Sequence, residues 1–229
     1  LRLTNHHGLM IAGEAALSNW DAGMDMYIYG KLGNLTMTKE GINVLMTNLT
    51  GKVPPILQRL DYIRFNGEAA GYLHDLTLTG LFHTGAGMVK TDVMMSIDEQ
   101  SMSRTYSGSV ASADLDLGKL LNQEKKFGKV DFNVELKGFN YKNRYPESYI
   151  KGIISSFEYS QYQYENIMLD GVYKDGGFNG RLSMDDANGS VQIDGNFNVA
   201  KTIPDFNLKA SVKNLRLSLI HISEPTRLR

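Results

Sequence analysis

The 229-residue chain contains no cysteine. It therefore has no disulfide framework and no paired cysteine ligands for a structural metal. Proline is scarce, at 5 residues, against 23 glycines. Neither sign of charge dominates. The 24 Lys and Arg side chains nearly balance 25 Asp and Glu, for a net charge of −1, so there is no electrostatic footprint for nucleic acid. No apolar run approaches the roughly 20 residues that span a bilayer as a helix. The G-x-S-x-G, H-E-x-x-H and P-loop patterns are all missing, and the residues suggest no enzyme.

Alternation of apolar and polar residues is abundant. Val130 to Lys137 alternates without a break, so Val130, Phe132, Val134 and Leu136 share one face of a strand. Val191 to Val199 does the same, placing Val191, Ile193 and Phe197 together, with Gly195 as a bulge or a close approach. Phe206, Leu208 and Val212 line up in a third run, and Tyr72–His83 and Val89–Ile97 are noisier ones. Turn signals separate the runs: Gly85-Ala-Gly87, Asp170-Gly171, Asp175-Gly-Gly177 and Asn188-Gly189. The expected fold is all-β, a long antiparallel meander curled into an elongated open groove with one apolar and one polar face. Helix signals are few. Thr38–Leu49 presents Ile42, Leu45 and Met46 on one side, Pro54-Pro55 opens a turn ending near Leu60, and Leu117–Leu121 is a short helix.

The near-misses to chemistry have plainer readings. Ser148-Tyr-Ile-Lys151 spells S-x-x-K without the partner motifs of that chemistry. His6 and His7 are adjacent and point to opposite faces of any strand. His74 and His83 are isolated, and Asp114, Asp116, Asp185 and Asp186 lack a calcium-loop pattern. No metal, cofactor or catalytic residue is expected. Phe157 to Tyr164 is rich in aromatics. It is read as one strand with a bulge at Ser160–Gln161, made of good β formers, in preference to a stacking platform.

Longer stretches carry a resemblance. They are Tyr162-Gln-Tyr-Glu-Asn-Ile-Met-Leu-Asp-Gly-Val-Tyr173, Phe178-Asn-Gly-Arg-Leu182 and Asp186-Ala-Asn-Gly-Ser-Val191. Upstream are Leu57-Gln-Arg-Leu-Asp-Tyr-Ile-Arg-Phe-Asn-Gly67 and Asp114-Leu-Asp-Leu-Gly-Lys-Leu-Leu121. This rhythm is similar to the AsmA-like superfamily, and within it to the translocation-and-assembly-module (TamB) family. The tripeptide Phe-Asn-Gly, at Phe65 and again at Phe178, hints at a repeating unit. The resemblance implies an internal piece, residues 1–216, of a longer membrane-anchored protein in a Gram-negative periplasm. It implies a β-taco-like groove that receives phospholipid acyl chains, or assists outer-membrane protein assembly with that machinery as partner. The expected groove-lining residues are Val130, Phe132, Val134, Leu136, Val191, Ile193, Phe197, Phe206, Leu208 and Val212.

The chain opens at Leu1 without a leader, which fits an internal piece. Leu217 to Arg227 resembles the in-frame translation of a transposase sequencing adapter, so 217–229 is read as a non-native tail. The competing reading is a secreted β-sandwich or β-solenoid that binds carbohydrate or acts as an adhesin. There the apolar face would be covered by a second sheet; in the groove reading it is open.

Overall fold

The structure, a computed structural model, describes residues 2–4, 8–19, 21–98, 100–101, 103–140, 147–198 and 205–214. The sequence expectations for His6, His7 and the tail from 217 onward lie outside them.

The chain forms one open 13-stranded sheet whose strands lie side by side in sequence order, every neighbouring pair antiparallel. A short β1 (Arg2–Thr4) edges β2 (Leu9–Ser18), followed by β3 (Tyr27–Thr38) and β4 (Tyr62–Tyr72). Then come β5 (Asp75–Thr84), β6 (Gly87–Asp98), β7 (Ser103–Asp116) and β8 (Phe127–Asn140). The remainder is β9 (Glu147–Tyr159), β10 (Tyr162–Lys174), β11 (Gly177–Asp186), β12 (Gly189–Asn198) and β13 (Asp205–Lys213). The sheet is not closed into a barrel, and there is no second sheet among the described residues.

Turn chemistry explains the tight hairpins. Asp175 and Gly176 take φ of 51° and 76°, and β10 folds back into β11 there. Such left-handed pairs match the twist of the flanking strands. Gly85–Ala86 and Ala187–Asn188 turn where the sequence signals them. Asp170-Gly171 does not turn; it lies inside β10. Gly171 is there because it faces Gly180 on β11 at close approach. The expected run Tyr72–His83 is also divided, at Leu73–His74, where β4 turns into β5. The aromatic run is two strands: Ser160 and Gln161, with φ of 50° and 67°, form a two-residue hairpin turn between β9 and β10 instead of a bulge. Gly195 keeps β12 in register on both sides, so it is a close approach to β13 and not a bulge.

The three helical signals are all present. Helix α1 spans Lys39–Thr50; the Thr38 side chain accepts from the Gly41 N–H, and Gly51 ends the helix at φ 74°. Ile42 on α1 is only 1% exposed; the side chain of Leu45 lies outside the described set. Leu57–Arg59 is a 3-10 turn, and α2 (Leu117–Leu121) is capped by Asp116, whose carboxylate accepts from the Lys119 N–H at 2.8 Å. All three sit at the same end of the strands. They build the main buried cluster there, with Ile42, Leu60 and Leu120 packed on Met37, Ile63, Leu115 and Val130 from the sheet.

Candidate functional site

Pairing register decides which side chains share a face, because facing residues in a ladder point the same way and neighbours in a strand point oppositely. On β8, Val130, Phe132, Val134 and Leu136 lie on one face. Register carries that face across β9 and β10 to Leu169, Gly171 and Tyr173, and across β11 to Leu182, Gly180 and Phe178. It continues to Val191, Ile193 and Phe197 on β12 and to Phe206, Leu208 and Val212 on β13. In the other direction it reaches Val93, Leu78 and Ala69. All ten residues expected to line a groove therefore stand on one face, although they come from three separate strands.

Among the described residues, helices cover that face at one end. Near the helices, Val130 is 6% exposed, and Phe132, Ile154 and Phe157 pack against the helical cluster. The aromatic run extends the cover: Phe127, Phe157, Tyr159, Tyr162 and Tyr164 contact one another ring to ring at 4.6–6.3 Å. Burial holds the Tyr162 hydroxyl above its usual pKa, and that hydroxyl donates a hydrogen bond to Asp186 at 2.9 Å. Towards the other end of the strands the helical element among the described residues is the 3-10 turn Gly23–Asp25, which His74 reaches through the Met24 carbonyl. Leu182, Phe197 and Leu208 are 37, 39 and 44% exposed. Val134, Leu136 and Ile193 are half-buried by their own neighbours. Phe132 thus belongs partly to the packed end, while Val134 and Leu136 lead out of it.

Glycines and aromatic rings alternate along the apolar face. The Phe65 ring lies over Gly67 and over Gly80 opposite, and the Phe178 ring lies over Gly171. Tyr106 covers Gly138 in the same way, and its hydroxyl bonds the buried Ser148. A ring laid over a bare backbone closes the gap a glycine leaves in a sheet.

The opposite face mixes exposed apolar side chains, Met94, Tyr149, Ile153 and Met168, with a charge pattern the sequence reading missed. Register places Glu14, Lys31 and Glu68 in one line across β2, β3 and β4. The line continues through Thr79, Asp92, Ser109 and Glu135. It ends with Lys151, Asp170, Arg181, Asp194 and Lys209. Arg181 Nε meets Asp194 at 2.6 Å, Lys151 approaches Asp170 at 3.6 Å, and the Thr79 hydroxyl donates to Asp92 at 3.0 Å. Hydrogen bonds from Gln192 and Arg181 hold the Asp194 carboxyl below its usual pKa. Each charge is visible in its own strand. The line appears only once the register of every hairpin is known.

The remaining polar near-misses have structural roles. Ser148 lies on the apolar face and Lys151 on the polar face, so the lysine cannot serve that hydroxyl as a base. His74 bonds the Met24 carbonyl and stacks on Tyr72. Asp114 pairs with Lys129 at 3.0 Å, Asp116 caps α2, and Asp186 accepts from the Asn188 N–H inside its hairpin. No group of three or more acidic or histidine side chains is placed to hold a metal among the described residues. No described helix is long and apolar enough to cross a membrane.

Comparison with protein-family models, with curated proteins and with solved structures gives no match for this chain.

Proposed function

We infer that the chain is a non-enzymatic lining for phospholipid acyl chains, part of an envelope protein that works in the periplasm of a Gram-negative bacterium. One observation carries the reading: a contiguous apolar sheet face that is packed at one end and, towards the other, exposes Leu182, Phe197 and Leu208 with no second sheet over them among the described residues. An isolated exposed Leu or Phe on a surface means little, but a continuous exposed apolar patch on an ordered scaffold marks a binding surface. An acyl chain laid there contributes about 0.8 kcal/mol per buried CH₂. Transfer along such a face needs no chemical step. The strand-turn rhythm that resembles the translocation-and-assembly-module family supports the same reading, and with it the assistance of outer-membrane protein assembly as a related role. The β-sandwich alternative would require a second sheet over Val134, Leu136 and Leu182. The described residues supply none.

The test is lipid uptake by the purified chain from phospholipid vesicles, read by native mass spectrometry. Leu136→Asp combined with Leu182→Asp should remove most of the bound phospholipid. The opposite-face substitution Glu135→Leu should leave it in place. Equal uptake by all three proteins, or none by the unaltered chain, would refute the reading.

A further inference from the structure

The apolar face is not wholly apolar. Among the described residues its strands carry two charged side chains, one towards each end. Asp186 stands at the packed end and accepts a hydrogen bond from Tyr162. Arg104 stands at the far end. Tyr106 fixes its side: the Tyr106 ring lies over Gly138 and its hydroxyl meets Ser148, both on the apolar face. Arg104 is two residues away on the same strand, with no shift of register between them, so it points the same way.

No acid faces Arg104. Across the ladder it stands opposite Ile97 on β6 and Asn140 on β8. Asp98 and Glu147 belong to the opposite face, and Glu147 is paired there with Lys174 at 2.7 Å. Arg104 is exposed, and its guanidinium makes no hydrogen bond or ion pair with a described residue. On the opposite face, by contrast, Lys151 and Arg181 each have an aspartate beside them.

The span from Arg104 to the packed end fits a lipid tail. Gly108, four residues along β7, faces Leu136; Ser112, eight residues along, faces Phe132 at the packed cluster. At roughly 3.4 Å per residue these lie about 14 and 27 Å from Arg104. One bilayer leaflet holds its acyl chains in about 15 Å, half of the roughly 30 Å hydrocarbon core. A chain that starts at Arg104 and runs along the strands passes Met95, Val93 and Leu136 and ends short of the packed cluster.

We propose that Arg104 binds the phosphate of a phospholipid whose acyl chain lies along the strands towards the packed end. The proposal rests on the lipid reading above and adds to it a headgroup contact and an orientation. The planar guanidinium offers paired N–H donors that match two phosphate oxygens.

The experiment offers the whole 229-residue chain vesicles of phosphatidylglycerol, or vesicles of a digalactosyl diacylglycerol with the same acyl chains, which has no phosphate. Retained lipid is read by native mass spectrometry. The unaltered chain should retain the phospholipid well above the galactolipid. R104Q should lower phospholipid retention roughly tenfold, the scale of a hydrogen bond to a charged group. It should leave galactolipid retention unchanged, which also shows that the variant is folded. R104K should keep part of the phospholipid, since it holds the charge without the paired donors. K137Q, on the opposite face of β8, should change neither. Equal retention of the two lipids by the unaltered chain would overturn the proposal. So would loss of both lipids alike in R104Q, or a phospholipid loss in K137Q equal to that in R104Q. Glycerophosphate has the phosphate without the chains; its retention in preference to the phospholipid would make this a site for free phosphate esters and overturn the proposal too. Retention of neither lipid by the unaltered chain would end the lipid reading and this proposal together.

Discussion

A phenylalanine two residues before a glycine on the same face of a strand can turn its ring back over the bare backbone. Phe65 does this over Gly67 and Gly80, and it is itself only 4% exposed. The tripeptide Phe-Asn-Gly, which in the sequence hints at a repeat, is not the same device twice: the Phe178 ring lies over Gly171 on the facing strand, opposite Gly180. Phe65→Ala should cost about 3–5 kcal/mol, read as a shift of the urea midpoint. Gly80→Val should cost about 1–3 kcal/mol, because its side chain needs the space the ring occupies and also crowds the Asn66 carbonyl on β4. The double variant should be markedly less unstable than the sum of the two, since the ring and the valine compete for one site. Strict additivity would show that ring and glycine are not coupled.

At the scale of elements, the helices were legible because their signals are local. Thr38 before Lys39 and Asp116 before Leu117 are N-caps read from a few neighbouring residues, and both accept the bonds their positions suggest. Asp116→Ala should lose about 1 kcal/mol of stability by thermal melting, while Asp116→Asn keeps an acceptor and loses little. The tie between the helical turns has a pH dependence. The Lys119 ammonium lies 2.6 Å from the Asp61 carboxylate and also donates to the Gly85 carbonyl at 3.0 Å. That ammonium holds the Asp61 carboxyl below its usual pKa. A carboxyl with a depressed folded-state pKa contributes stability above its unfolded value and loses it as pH falls through the folded one. The stability difference between the unaltered chain and Lys119→Met should therefore be constant near neutrality and shrink below about pH 4. A difference that stays constant down to pH 2 would leave only the Gly85 bond as the tie. The Asp170-Gly171 signal misled for a related reason. The dipeptide is a turn by local rules, but here glycine answers to a glycine on the next strand, which no window along the chain contains.

For the molecule as a whole, strict alternation at Val130–Lys137, Val191–Val199 and Phe206–Val212 was enough to expect a one-sided sheet, and the register joins those runs on one face. The sequence did not show that α1, α2 and the aromatic hairpin all fall at the same end of the strands. That depends on strand lengths and registers summed over the entire sheet. It matters, because it divides the apolar face into a packed end containing Val130 and an open stretch containing Leu136 and Leu182. It also makes Phe132, which touches the packed cluster, a poorer position for a lipid probe than Leu136.

The most direct measurement of the central claim is site-specific photo-crosslinking at two adjacent residues of β8, with the chain in a Gram-negative periplasm. A photoreactive amino acid at Leu136 points into the open apolar stretch, and one at Glu135 points to the polar face beside Lys151. Phospholipid adducts at Leu136 with few at Glu135 are the predicted result. Equal labelling at both positions, or protein adducts alone at Leu136, would contradict it, because the face would then be either indiscriminately exposed or a dry interface.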